Sequence, residues 1–383
     1  MAFDFDAPAN RAGTWSSRWQ RYAGTDVIPL WVADTDFRPP PAVLAALSQR
    51  LEHGILGYTV PPAALTEAIV ARLDRLYGWR IDAEWLVYLP GVVPGLHHAA
   101  RSLTSPGDHV LVPRPVYQHV RKAPEAAPRA FTEIDLVLHN DRWVFDLDGV
   151  RRSLRKNTRA FFLCNPQNPG GTVFTREELL GLAQATGDAI IVSDEIHCDL
   201  ILEPGCRHVP IASLSPEVSR RTVTLLSPNK TFNFPGAGCA WAVIEDGALR
   251  RRFSADVDNH VLPSPTLFGY LAALAAYREG DAWLSAQLDY LRGNRDLVRE
   301  SLPLPLASVE ATYLAWLDCR GLGIDDPHRH FLAHGVALSP GPQFGTPGFV
   351  RLNFGTQRAL LRQALQRMQA ALKNGGRGEA RAS

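Results

Sequence analysis

The stretch 159–195, "RAFFLCNPQNPGGTVFTREELLGLAQATGDAIIVSDE", decides the fold. Its first run, Ala160 to Cys164, is apolar without alternation, as a strand covered on both faces should be. "NPQNPGG" (165–171) then stops it, because Pro, Asn and Gly supply turn conformations. "TREELLGLAQATG" (175–187) reads as a helix. "AIIVS" (189–193) is a second covered strand, with two carboxylates, Asp194 and Glu195, just past its end. Strand, helix and strand in this order form the crossover unit of a parallel, helix-covered sheet.

The pattern continues on both sides. "TVTLLSPNKTF" (222–232) is another apolar strand, running into a tight turn that carries Lys230. Upstream, "WLVYLPGVVPGLHHAARSL" (85–103) reads as strand, Gly-containing turn and helix, and "HVLVPRPVYQHV" (109–120) as a strand leaving into a loop. Residues 37–54 form a helix behind a proline run, and 62–78 an amphipathic helix closed by Gly78. After about residue 255 long helices take over, the clearest within 270–302, followed by a shorter α+β stretch with "ATYLAWLD" (311–318) and "GFVRLNFG" (348–355). The expected division is an N-terminal segment, 1–47, packing with the small domain; a large domain, 48–255; a small domain, 256–372; and a disordered tail, 373–383.

Composition narrows the function. With 46% hydrophobic and 21% charged residues the chain has material for a large core, and a net charge of +1 gives no basic face for nucleic acid. No apolar run is long enough to span a bilayer, and the acidic N-terminus lacks the pattern of a signal peptide. Five scattered cysteines, Cys164, Cys198, Cys206, Cys239 and Cys319, form no metal-ligand spacing, so reduced cytoplasmic thiols are expected. Adjacent His97 and His98 on one helix do not face a common site, and Cys198 and Cys239 read as small core residues.

In open α/β sheets ligands bind beyond the C-terminal ends of the strands. Gly91-Val92-Val93, Tyr117, Asn168, Asp194 and Lys230 all fall there. Asp194 ends a run too apolar for a solvated face; it is either a helix cap or a carboxylate facing a protonated heterocycle. Lys230 is either a surface lysine or an amine whose pKa an apolar pocket lowers, as Schiff-base chemistry requires. Asn168 alone reads as a turn residue. Ser227 and the amides of Val92 and Val93 at a helix start have the chemistry of a phosphate cradle. Arg351, inside an apolar strand, needs a carboxylate, from the protein or from a substrate.

"NPQNPGG", "SDEIHCDL", "SPNKTFN" and "RLNFG", in this order, resemble the fold-type I pyridoxal-phosphate enzymes of the class I/II aminotransferase superfamily. With "LWVADTDF", "HGILGYT", "LPGVVPGLHHA", "PVYQHV", "KTFNFPG" and "ATYLAWLD" they are similar to its MalY/PatB branch of cystathionine β-lyase-like C–S lyases, over about residues 3 to 370. The resemblance implies a two-domain α/β fold with a mixed, mostly parallel, seven-stranded sheet and a smaller α+β domain. It implies pyridoxal 5′-phosphate as cofactor, with Lys230 on its aldehyde, Asp194 on its ring nitrogen and Asn168 on its phenolic oxygen. Tyr117 would stack on the ring and border the substrate. Ser227, Val92 and Val93 would cup the phosphate, joined by Tyr58 from the neighbouring subunit of a homodimer. Arg351 would grip the substrate α-carboxylate beside Ala33, and His197 would pack near the cofactor. The implied reaction is β-elimination from an L-cysteine S-conjugate, giving thiol, pyruvate and ammonia. The same parts also serve an aminotransferase, or elimination or decarboxylating oxidative deamination of a bulky conjugate. Members of the branch also bind a transcription activator through their surface. Three departures, Thr35, Pro228-Asn229 and His119-Val120, lie where the branch usually has other residues, so they bear on the substrate rather than the cofactor.

Overall fold

A computed structural model describes residues 3–259 and 261–375. The tail expected at 373–383 lies outside the described residues from 376 onward; before that the final helix runs on through Gly375.

Two long helices precede the sheet, after a single short turn of helix at Ser17–Gln20. The first, α1 (Pro41–His53), follows the proline run and ends at Gly54 in the left-handed conformation, φ 77°. The second, α2 (Ala63–Tyr77), buries Leu65, Ile69, Arg72 and Leu73 along one stripe. It stops at Gly78, φ 62°, whose N–H returns to the carbonyls of Asp74 and Leu73; a side chain there would be strained.

The central sheet has eight strands: β1 (Leu86–Leu89), β2 (His109–Arg114), β3 (Ala130–His139), β4 (Arg142–Phe145), β5 (Thr158–Cys164), β6 (Ile190–Asp194), β7 (Thr222–Leu226) and β8 (Ala240–Val243). Their order across the sheet is β1-β8-β7-β6-β5-β2-β3-β4. The five inner strands, β7 to β3, make four pairings, β7–β6, β6–β5, β5–β2 and β2–β3, all parallel, while β8 and β4 run against their neighbours. The mixed, mostly parallel sheet is therefore as expected, with one strand more than seven. The added edge strand, β4, folds back on β3 through Asn140 and Asp141, at φ 49° and 60°. Asn and Asp tolerate that conformation best after Gly, and a two-residue turn of this hand matches the twist of a hairpin.

Both faces of the sheet are covered, which explains the unbroken apolar runs. Helix α3 (Val92–Leu103) buries Val92, Leu96, Ala99 and Leu103 in a cluster with Ala160 and Phe162 of β5, and α4 (Gln118–Ala126) adds Val120 and Ala123. Phe161 and Leu163 point the other way, onto Leu179, Leu182 and Ala183 of α5 (Arg176–Ala185). That helix opens with a reciprocal cap between Thr175 and Glu178.

The C-terminal part uses α6 (Leu267–Glu279), α7 (Asp281–Ser301) and α8 (Arg358–Gly375). A small antiparallel sheet joins β9 (Leu314–Asp318), β10 (Ser339–Pro340) and β11 (Phe349–Asn353), with β11 in the middle. Its core takes in Leu314, Leu352, Leu361 and Met368 together with Phe5, Ile28, Leu30 and Phe37 of the N-terminal segment. Residues 28–29 also pair with 336–337. Helix α6 straddles the two parts: Tyr270 and Ala273 join Trp241 under the large sheet, whereas Ala272 and Ala276 join the C-terminal core.

Candidate active site

A cleft of about 350 Å³ opens where β5, β6 and β7 end and β11 faces them. Lys230, Asp194, Asn168, Tyr117, Val92, Val93, Ala33 and Arg351 all line it. Strand ends deliver the first three, because each apolar strand stops at the same edge and its next residues turn into the loop region. Arg351 comes from the small sheet, where Trp316 and Ser339 are its register partners on β9 and β10.

Asp194 is buried, and the Ile196 N–H donates to its Oδ1 at 3.2 Å. Burial pushes its carboxyl up to about 7. Lys230, within the turn that follows β7, donates from Nζ to the Ala33 carbonyl, which also accepts from the Tyr313 hydroxyl at 3.1 Å. Burial lowers the lysine to about 8, opposed by Asp34 and assisted by Arg351. Arg351 is buried too, and loss of water lowers it to about 10. Its Nη1 donates to Asn168 Oδ1 at 3.0 Å, its Nη2 to the Trp31 carbonyl at 2.9 Å, and its guanidinium lies 4.8 Å from the Phe344 ring centre. No protein carboxylate takes this arginine among the described residues. Burial also raises Tyr117, to about 12.

The helix end is equally open. Gly91 precedes α3, and no side chain caps its first turn. The amides there are orphan donors at the positive end of a helix dipole. Nearby, Ser227 is buried, donates to the Cys239 carbonyl at 2.7 Å and accepts from the Asn229 N–H at 3.2 Å. Gly95 lets the helix approach the sheet: a Cβ there would sit 2.9 Å from Leu89 Cδ1 and 3.2 Å from Leu225 Cδ2.

Tyr58 is not brought to this cleft. It is fully exposed, in a stretch with Leu51, Ile55, Leu56 and Val60, all exposed as well. Of the three departures, Asn229 lines the cleft, Thr35 is buried beside a second cavity, and His119 lies outside the cleft lining. His119 Nδ1 and His97 Nε2 are 3.3 Å apart, whereas His98 turns the opposite way, to the Phe253 carbonyl.

Several lining residues carried no signal in sequence: Trp31, Gln343, Phe344 and Ser339. His197 is more telling. It is buried in the cleft with no partner for Nδ1 among the described residues, and burial, Lys230 and Arg351 push it down to about 3, so the ring is neutral. Its spacing of three from Asp194, on the turn after β6, is the cue that ties it to the site.

A larger cavity of about 580 Å³ opens beside Lys230 and shares Val32, Ala33, Lys230 and Pro235 with the cleft. Arg11 holds Asp34 at 2.6 Å and Asp36 at 2.9 Å along its wall, and fully buried Arg18 holds Asp36 at 3.2 Å from behind.

The family model for aminotransferases of class I and II matches residues 25–368. Cystathionine beta-lyase PatB of Bacillus subtilis is 36% identical over 386 residues, spanning 96% of this chain and all of that protein. The crystal structure of OvoB matches with a TM-score of 0.93 and 45% identity, over 97% of this chain and 99% of that one. Cystalysin from Treponema denticola, whose crystal structure contains a pyridoxal 5′-phosphate cofactor, matches with a TM-score of 0.92 and 30% identity, over 98% and 100%. Sequence and fold agree along nearly the whole length, and the chain belongs to the aminotransferase class I and II family.

Proposed function

We propose that the protein is a pyridoxal-phosphate-dependent C–S β-lyase that converts an L-cysteine S-conjugate and water to thiol, pyruvate and ammonia. The observation that carries this is one cleft joining a lysine of lowered pKa, a buried carboxylate without a cationic partner and a buried arginine without a carboxylate. Relatives named as cystathionine beta-lyases support the same reaction class.

The residues fit the cofactor. Among the described residues Asp194 has no salt-bridge partner, His197 Nδ1 and Asn229 Oδ1 lack hydrogen-bond partners, and the first turn of α3 has no side-chain cap. These are the needs that a ring nitrogen, a polar ring substituent and a phosphate meet. In this reading Asp194 holds the ring-nitrogen proton, Asn168 faces the phenolic oxygen, Tyr117 covers the ring, and Ser227 with the Val92 and Val93 amides holds the phosphate. When bound, the cofactor supplies an aldehyde for amines and a cationic ring that takes up the electron pair released at Cα.

The chain's own residues do the rest. Arg351 binds the substrate carboxylate and, with Ala33, fixes the direction of the Cα–H bond, which is catalysis by orientation. Lys230 takes the Cα proton on Nζ; its lowered pKa keeps a useful share of neutral amine near pH 8. The thiolate then leaves Cβ with the C–S electron pair. The test is a panel of S-substituted cysteines, assayed together for pyruvate, thiol and oxo-acid products. Pyruvate and thiol in equal amounts are expected. An oxo acid that keeps its sulfur would move the reading to an aminotransferase, and carbon dioxide release with oxygen uptake to the oxidative reaction.

The proposed working unit is a cytoplasmic homodimer, with large and small domains meeting near residue 255 and an N-terminal segment docked on the small one. No described helix is long and apolar enough to cross a membrane. The exposed apolar stretch around Tyr58 supports a self-association face, from which Tyr58 reaches the partner's phosphate. Mixing separately inactive Tyr58→Phe and Arg351→Ala chains tests this. If Tyr58 acts across the interface and Arg351 within its own chain, each mixed dimer has one intact site. About a quarter of wild-type activity is then expected after random exchange, since half the dimers are mixed and half their sites are whole. Mixed dimers with no recovered activity would overturn the shared site.

A further inference from the structure

We propose that the cavity beside Lys230 receives the S-substituent of the substrate, and that Arg38 on its rim selects substituents bearing an anionic group. The inference rests on the lyase reading for the position of Cβ and adds the class of substituent.

Three observations carry it. First, Val32, Ala33, Lys230 and Pro235 line both this cavity and the cleft. A substrate held by Arg351, with Cα at Lys230, therefore has two places for its side chain, and this cavity is the larger, about 580 against 350 Å³. Second, its walls include Phe37, Phe234, Pro39 and Pro235, which suit an apolar linker. Third, its charges do not cancel. Asp34 and Asp36 are both taken by Arg11 and Arg18, at 2.6 to 3.5 Å, and neither pairs with Arg38. Arg38 is exposed at the rim and lines the same space. A cationic substituent would meet Arg38 and find both carboxylates occupied. A carboxylate on the substituent would gain a charge-assisted contact without breaking any existing pair.

The expected size is modest, because Arg38 is in contact with water. An exposed ion pair contributes about fivefold in affinity at most. The experiment compares S-(2-carboxyethyl)-L-cysteine with its neutral amide, S-(2-carbamoylethyl)-L-cysteine, which has the same shape. Binding is read by calorimetry on cofactor-loaded Lys230→Ala chains, which cannot turn the ligands over, with and without Arg38→Gln or Arg38→Lys. The acid is expected to bind about fivefold more tightly than the amide. That preference should fall to about one in Arg38→Gln and largely return in Arg38→Lys. Equal binding of acid and amide, or a preference that survives Arg38→Gln, overturns the subsite. Product assays on the parent holoenzyme are read separately. If the acid preference follows Arg38 but neither ligand gives pyruvate, the lyase reading fails and the subsite stands.

Discussion

Lys230→Ala is expected to lower turnover by about ten-thousandfold or more, with the fold intact and the cofactor held without a covalent bond. Two functions are lost together, the amine that anchors the aldehyde and the base that takes the Cα proton. The sequence makes the assignment unusually easy to check, because it contains four lysines: Lys122, Lys156, Lys230 and Lys373. The other three are exposed, and none lines either cavity. Borohydride treatment of the loaded protein, followed by peptide mapping, should therefore label the 230 peptide alone. Label at 122, 156 or 373 in place of 230 would remove the basis of the reading. The pH dependence adds an independent mark. Only neutral amine attacks an aldehyde, and burial brings Lys230 down from 10.5 to about 8. Reloading of cofactor-free protein should accelerate as pH rises through about 8 and level off above it. A surface lysine would still be gaining neutral form near pH 10.

How far the sequence carries the fold differs by element. The covered strands β5, β6 and β7 were legible because parallel strands buried on both faces leave continuous apolar runs. Phe161 and Phe162 facing opposite clusters are the physical cause. The edge strand β4 was not legible: Arg142 to Phe145 are only partly buried, and their pairing depends on two positive-φ residues, Asn140 and Asp141, that resemble any polar loop. In the site, residues at strand ends were readable because position and chemistry coincide there, as in Asp194 and Lys230. Trp31, Phe344 and Ser339 were not, since they come from three irregular or short segments that meet only through the packing of the small sheet. The larger cavity was hidden for a related reason. Its wall depends on ion pairs between Arg11 or Arg18 and Asp34 or Asp36, in an N-terminal segment with almost no regular structure and hence no periodicity to read.

Asp194→Asn is expected to slow proton removal by about a hundred- to a thousandfold, through the charge alone, because the side chain keeps its size. A carboxylate that merely capped the turn after β6 would tolerate this change, since Asn Oδ1 can still accept from the Ile196 N–H. Stability separates the two roles without any assay of turnover. In the cofactor-free fold, burial raises Asp194 from 3.8 to about 7. The folded state then binds more protons than the unfolded state between those values, so this group makes stability fall as pH rises from 3.8 to 7 and stay level above. The penalty above pH 7 is at most about 4 kcal/mol, from about three pKa units at 1.36 kcal/mol each. Asparagine carries no such penalty. Cofactor-free Asp194→Asn should thus melt higher than the cofactor-free parent at pH 8, and the two should converge near pH 4. Adding pyridoxal phosphate should reverse the order at pH 8, because a protonated ring nitrogen supplies the buried carboxylate with its missing cation and gives the amide much less. If the parent remains the less stable chain when both are loaded, Asp194 is not the partner of the ring nitrogen.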